Sequence, residues 1–171
     1  MNYLAIDTST NVCSVAFVYK SKLNVLNEFN VREHSKYLPV MSKELIKDNV
    51  NEIDFVALSI GPGSYSGLKI GCSFAKGLAF SIGKPIVPVS TFEGMNTQVK
   101  NTDKYFISLY SHKDFAFFQL FDFGKPKGEA VCDSIKNMKD YKIYGYGFID
   151  NVIMNNYKKI IPSAEFIGNI A

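Results

Sequence analysis

The chain has 171 residues, enough for one large domain or two small ones with a sizeable apolar core. Apolar residues make up 47% and charged residues 20%, an ordinary globular balance, and the net charge of +3 is scattered, too weak to mark a nucleic-acid-binding surface by itself. No apolar run reaches the roughly eighteen residues of a membrane span, and Tyr3-Leu4-Ala5-Ile6-Asp7 opens the chain without the pattern of a signal peptide.

Tyr3 to Ile6 is a short apolar strand stopped by the turn-forming Asp7-Thr8-Ser9-Thr10. Cys13 to Tyr19 and Leu23 to Asn30 read as two more strands across a tight Lys20-Ser21-Lys22 connection, so the three are expected as antiparallel neighbours. Leu38, Met41 and Leu45 then recur at helical spacing, with Ser35 as N-cap and Pro39 in the first turn, and predict a helix from about Ser35 to Asp48. Phe55 to Ile60 is a continuous apolar strand suited to the middle of a sheet. A glycine-rich loop leads into a helix from about Ser66 to Ile82, ended by Gly83-Lys84-Pro85. A strand over Pro85 to Val89 and a helix over Thr91 to Val99 complete an expected first domain of residues 1–100. The polar Asn101-Thr102-Asp103-Lys104 marks the boundary to a second domain, 101–171. There Tyr105 to Tyr110 and Phe115 to Phe123 read as a hairpin across Ser111-His112-Lys113-Asp114. Gly124 to Gly128 reads as a loop, Ile143 to Tyr146 as a strand and Ser163 to Ala171 as a helix.

Three segments carry chemical information. Glycines between a strand and a helix, as in Gly61-Pro62-Gly63-Ser64-Tyr65-Ser66-Gly67, suit either a phosphate cradle or a tight structural corner. Neither a P-loop nor a dinucleotide fingerprint fits this spacing. In the helix that follows, Gly67, Gly71, Ala75 and Ala79 form a nearly bare face, and Ile70, Phe74, Leu78 and Ile82 an adjacent bulky one. The polar stripe is narrow, mainly Lys69, Ser73 and Lys76, so this helix needs cover on more than one side, from the second domain or from another protein. Asp7-Thr8-Ser9-Thr10 offers hydroxyls suited to phosphate and a carboxylate suited to a hydrated cation, and fits a structural Asx turn as well. Among the negative signals, His34 and His112 have no metal-ligand spacing and no nucleophile elbow is present. His34 reads as a surface or helix-entry residue. Cys13, Cys72 and Cys132 fit no disulfide framework or zinc spacing and read as reduced thiols of a cytoplasmic protein.

Taken together, Leu4-Ala5-Ile6-Asp7-Thr8-Ser9-Thr10, His34-Ser35-Lys36-Tyr37-Leu38-Pro39 and Gly61 to Gly71 resemble the TsaB (YeaZ) family over about residues 1 to 97. The resemblance implies an α/β fold of the actin-like, Hsp70 and sugar-kinase (ribonuclease H-like) type. It also implies a catalytically inactive relative of TsaD, the subunit that transfers threonylcarbamoyl to a tRNA adenosine beside the anticodon. Leu38 stands four residues after His34, where TsaD carries the second histidine of a metal site, so no metal is implied here. The expected partners are a TsaD-type transferase and a TsaE-type ATPase. A homodimer is expected when the chain is alone, and tRNA is reached only through the complex. No cofactor of its own is implied, with ATP and magnesium possible only in the complex. The pairing surface falls on the two helices of the first domain, through Leu38, Met41, Leu45, Ile70, Phe74 and Leu78. Any phosphate-facing groups would be Asp7, Thr8, Ser9, Gly61, Gly63 and Ser64.

The second half departs from the family pattern. Leu109-Tyr110-Ser111-His112-Lys113 stands where Asp-Ala-Arg is usual, and members continue further, so an abbreviated second domain is expected. Gly145-Tyr146-Gly147 is the only hint there of a second phosphate loop. The competing expectation is an ATP-dependent enzyme or peptidase of the same superfamily, built on Asp7 and the Gly61–Gly67 loop.

Overall fold

In the computed structural model, which describes residues 1–100, 103–138, 140–148 and 156–171, the chain forms two units. One comprises Met1–Gly94 with Pro162–Ala171, the other Met95–Ile161. In the first unit, β1 (Tyr3–Asp7), β2 (Cys13–Tyr19) and β3 (Lys22–Glu28) are antiparallel neighbours. Lys20 and Ser21 both take positive φ, the conformation a two-residue hairpin turn requires. β4 (Phe55–Ser59) runs parallel to β1, and β5 (Ile86–Val89) parallel to β4, giving the order β3-β2-β1-β4-β5.

Helices α1 (His34–Ile46) and α2 (Tyr65–Ile82) cover one face of this sheet. Leu4, Ile6, Val15, Phe17, Val56 and Leu58 meet Leu38, Met41, Ala75 and Ala79 there in one core. α3 (Thr91–Asn96) follows β5 and is shorter than the spacing predicts; Val99 lies beyond it, in a turn in which its N–H donates to the Asn96 carbonyl. α4 (Ala164–Ile170) lies on the opposite face, with Ala164 and Ile167 against Ala5, Ala16, Phe55, Ala57 and Val89. β1 and β4 are buried almost throughout because both faces are covered.

α4 corrects the expected domain limits. The last ten residues belong with the first unit rather than to a second domain of 101–171. The Ala164 N–H donates to Ser14 Oγ at 2.8 Å, the Ser14 and Ser163 hydroxyls lie 3.3 Å apart, and Gly168 leaves room for the Tyr3 ring. Of the predicted boundary, Asn101 and Thr102 lie outside the described residues.

The second unit contains β6 (Tyr105–His112), β7 (Phe115–Asp122), β8 (Lys125–Ser134), β9 (Lys142–Tyr146) and β10 (Tyr157–Lys159). Their order is β10-β9-β6-β7-β8, with β6-β7-β8 antiparallel and β9 and β10 parallel to β6. Read from β8 to β10, this repeats the order and directions of the first sheet. Its aromatic core stacks Tyr105 on Phe121 at 5.8 Å and sets Phe106 edge-on to Phe118 at 5.3 Å. The expected Gly124–Gly128 loop is replaced by a turn and the start of β8, which among the described residues is an edge strand paired only with β7, and which is exposed along nearly its whole length. Gly145 is a packing glycine: an added Cβ would lie 2.5 Å from the Ser108 carbonyl oxygen on the neighbouring strand. Gly145 therefore has a local structural reason that needs no phosphate.

The buried face of α2 is Gly67, Gly71, Ala75 and Ala79, the bare stripe of the sequence. A Cβ at Gly67 would lie 2.1 Å from the Thr8 carbonyl oxygen, and one at Gly71 2.3 Å from Thr8 Oγ1. By contrast, Gly77 faces open space. Gly67→Ala should therefore cost about 2–3 kcal/mol of stability, since a backbone atom stands in the way. Gly77→Ala should gain about 0.5–1 kcal/mol from helix propensity. Denaturant unfolding of the two variants checks both signs.

Candidate functional site

The sequence-predicted turn and loop meet at the C-terminal ends of β1 and β4. The Asp7 carboxylate accepts from the Ser9 N–H at 2.9 Å, forming the Asx turn. The Ser9 carbonyl accepts from the Ser64 N–H at 2.6 Å, and Thr8 Oγ1 donates to the Gly67 carbonyl at 2.8 Å. Gly63 lies so close that a Cβ would sit 2.2 Å from the Ser9 carbonyl oxygen, and Gly61 needs its φ of +103°. Ser64 caps α2 through an N–H···O bond from Gly67 at 3.3 Å. Beside this corner, the Ser59 and Thr91 hydroxyls share a 2.7 Å hydrogen bond and the Thr91 N–H donates to the Gly61 carbonyl at 2.9 Å.

The geometry brings all six possible phosphate-facing residues together but closes the place a phosphate would take. Asp7, Thr8 and Ser9 are buried, and the Ser64 N–H and Thr8 hydroxyl already donate to carbonyls. In this conformation the loop packs as a structural corner. Among the described residues, three buried atoms lack protein partners: Asp7 Oδ2, Ser9 Oγ and His34 Nδ1. His34, expected at the surface or at a helix entry, stands at the helix entry as the first residue of α1, and is buried there rather than exposed. Its Nε2 lies 2.8 Å from the Thr10 carbonyl, which can only accept, so Nε2 carries the hydrogen.

Burial raises the Asp7 carboxyl above its ordinary value, opposed in part by the Ser9 and Ser59 groups and by His34. Burial lowers His34, opposed by the Thr10 hydrogen bond and by Asp7. Cys13 is buried and its thiol is pushed up to about 12; Cys72 is half-buried and Cys132 exposed, and all three are free thiols.

The expected pairing residues divide. Leu38 and Met41 belong to the core between α1, α2 and the sheet, which corrects their assignment to a partner surface: the sheet uses the same helical stripe. Leu45, Ile70, Phe74 and Leu78 are half-buried at the margin of that core. The most exposed large apolar groups on the two helices are instead Phe80 at 91%, Tyr65 at 74% and Val40 at 64%. Helical spacing carried the signal for Phe80, which lies opposite the bare glycine and alanine face; Tyr65 and Val40 have no such mark in the sequence.

A ribonuclease H-like sheet in each unit, with the glycine corner between strand and helix, defines an α/β protein of the actin-like class. The family model for TsaD, tRNA N6-adenosine threonylcarbamoyltransferase, matches residues 21–111. The chain is 37% identical over 98 residues to the tRNA threonylcarbamoyladenosine biosynthesis protein TsaB of Haemophilus influenzae, covering 56% of this chain and 42% of that one. It is 30% identical over 165 residues to the tRNA N6-adenosine threonylcarbamoyltransferase of Borreliella burgdorferi, covering 85% of this chain and 44% of that one. A solved structure titled YeaZ from Pseudomonas aeruginosa superposes with a TM-score of 0.80 at 21% identity, over 99% of this chain and 89% of that one, and so shares the fold. The chain belongs to the TsaB (YeaZ) family, within the wider family of that transferase. It spans less than half the length of these curated relatives.

The two buried ionisable groups act on stability in opposite directions. His34 has a lowered folded pKa, so its contribution is complete above the unfolded value of about 6.5 and is lost as pH falls below it. Asp7 has a raised folded pKa, so its contribution is complete below about 3.9 and is lost as pH rises through the folded value. Asp7→Asn keeps an acceptor for the Ser9 N–H and removes the buried charge, so it should raise stability at pH 7. His34→Gln should flatten the loss of stability between pH 7 and 5. Urea unfolding across that range checks both.

Proposed function

We propose that this protein acts in tRNA threonylcarbamoyladenosine biosynthesis as a docking subunit, with the transferase chemistry residing in a TsaD-type partner. The observation that carries this reading is the outward face of α2. Phe80 and Tyr65 stand almost fully exposed, and Ile70, Phe74 and Leu78 are only half-covered. Between Phe80 and the Ile70–Phe74 edge run Ser73 and Gly77, small exposed residues that let another helix approach closely. A surface combining aromatic anchors with a small-residue track is suited to helix packing in a protein interface. The names of the relatives supply the chemical context, and the fit of the TsaD family model to residues 21–111 supports a partner of related fold.

A homodimer through the same face is the resting state in this reading, because an isologous contact buries the same groups when the partner is absent. A TsaE-type ATPase joins the assembly, and tRNA is met through the complex. The closed corner over Asp7, Thr8 and Ser9 weighs against the alternative of an ATP-dependent enzyme, for which this turn would have to open. Among the described residues no three His, Cys, Asp or Glu side chains converge on a metal position, which gives a metal-dependent peptidase no foothold.

Phe80→Asp should abolish co-elution with a TsaD-type transferase in size-exclusion chromatography. Unfolding stability should stay within about 0.5 kcal/mol, as expected for a surface position. Undiminished co-elution of this variant would overturn the proposed face.

A further inference from the structure

The corner between β3 and α1 holds a pocket that the docking reading does not use. Its volume is about 350 Å³, and it is lined by Phe29, Asn30, Val31, Arg32, Glu33 and Tyr37. That is the smaller end of the range for small-ligand sites. Arg32 is the only arginine in the sequence, and its guanidinium has no hydrogen-bond or ion-pair partner among the described residues. Phe29 is 49% exposed and Tyr37 is half-buried, so two aromatic rings border the same space. Asn30 Oδ1 accepts from Asn11 Nδ2 at 3.3 Å, which leaves the Asn30 amide hydrogens available. The backbone is braced without a ligand: the Val31 N–H donates to the Asn11 carbonyl at 2.8 Å, and the Lys36 N–H to the Glu33 carbonyl at 3.0 Å. Val31 is buried beneath.

Each group narrows the ligand. A free guanidinium fork suits phosphate or carboxylate oxygens. Two accessible rings suit a planar heterocycle. An amide and a carboxylate beside them suit the mixed donor and acceptor edge of a base. An acidic peptide would satisfy Arg32 but would leave the rings without a planar partner. We propose that this pocket binds a nucleotide, its base against Phe29 and Tyr37, its phosphate on Arg32 and its base edge at Asn30 and Glu33. The nucleotide is either free or an unpaired residue of an RNA strand. The pocket shares no residue with the Asp7 turn or the glycine corner.

The full chain is titrated with adenosine monophosphate and with a short oligoadenylate, by calorimetry at several salt concentrations. Binding of either probe is expected. Tighter binding of the oligomer identifies an RNA source, and equal binding a free nucleotide. Phe29→Ala should weaken binding about tenfold, the size of one lost base stack. Arg32→Ala should lower the slope of log affinity against log salt by about 1 for the oligomer, and Arg32→Lys should restore the slope without the full affinity. Both positions lie at the surface, and circular dichroism verifies folding. Failure of both probes to bind, binding that Phe29→Ala and Arg32→Ala leave unchanged, or Arg32-dependent binding of an acidic peptide alone would each overturn the proposal. Phe80→Asp should leave nucleotide binding intact, so this site and the docking face stand or fall separately.

Discussion

The close approach of α2 to the turn after β1 is the constraint on which the rest of the first unit depends. Three glycines, at 63, 67 and 71, bring the loop and helix so near Thr8 and Ser9 that a methyl group at any of them would strike a backbone or side-chain oxygen. Two hydrogen bonds, Ser64 N–H to the Ser9 carbonyl and Thr8 Oγ1 to the Gly67 carbonyl, hold the contact. They pair polar groups that would be costly to bury alone. Ala75 and Ala79 continue the same low profile along the sheet. The helix therefore lies flat against the sheet over much of its length, and its rotation about its own axis is set by its smallest residues.

That rotation decides what faces outward. With the bare stripe against the sheet, Ile70, Phe74 and Leu78 fall at the margin of the core, and Phe80 falls on the far side. A helix this apolar does not need all of its surface to hold the monomer together, because the glycine and alanine face makes its contact through backbone proximity rather than side-chain bulk. The surplus is left at the surface. The same closeness confines Asp7 and His34, whose unpartnered atoms are shut in beneath the corner. Their shifts follow from burial, opposed first by hydrogen bonds and least by their mutual charge.

Much of the first unit was legible in the sequence because its signals are local. Continuous apolar runs at Tyr3–Ile6 and Phe55–Ile60 mark strands covered on both faces, and the four-residue spacing from Gly67 to Ala79 marks the packed face of α2. What failed was non-local. Nothing in Ser163–Ala171 says that it returns to β1 and β2, since its partner, Ser14, lies 149 residues away from Ser163. β8 carries no apolar alternation because it is an exposed edge, so Gly124 to Gly128 reads as a loop when its residues lead into a strand. Leu38 and Met41 show helical spacing, but spacing does not tell whether a stripe faces a sheet or a partner. The six candidate phosphate-facing residues do assemble, yet residue type alone does not distinguish an open cradle from one filled by its own backbone.

Closure of the corner and exposure of the α2 face are two results of one packing decision. The Ser64 N–H and the Thr8 hydroxyl, two of the donors an anion at this place would draw on, are already committed to carbonyls. Freeing them means lifting the start of α2 from Thr8, which would open the contact of Gly67 and Gly71 and uncover the sheet beneath. The first turn of the helix thus cannot serve both as a tight seal over β1 and as a phosphate cradle in the same conformation. A chain that keeps the seal gains a rigid helix with a fixed outward face. Such rigidity favours docking, since a preorganised surface loses less conformational entropy on association than one that must first order itself.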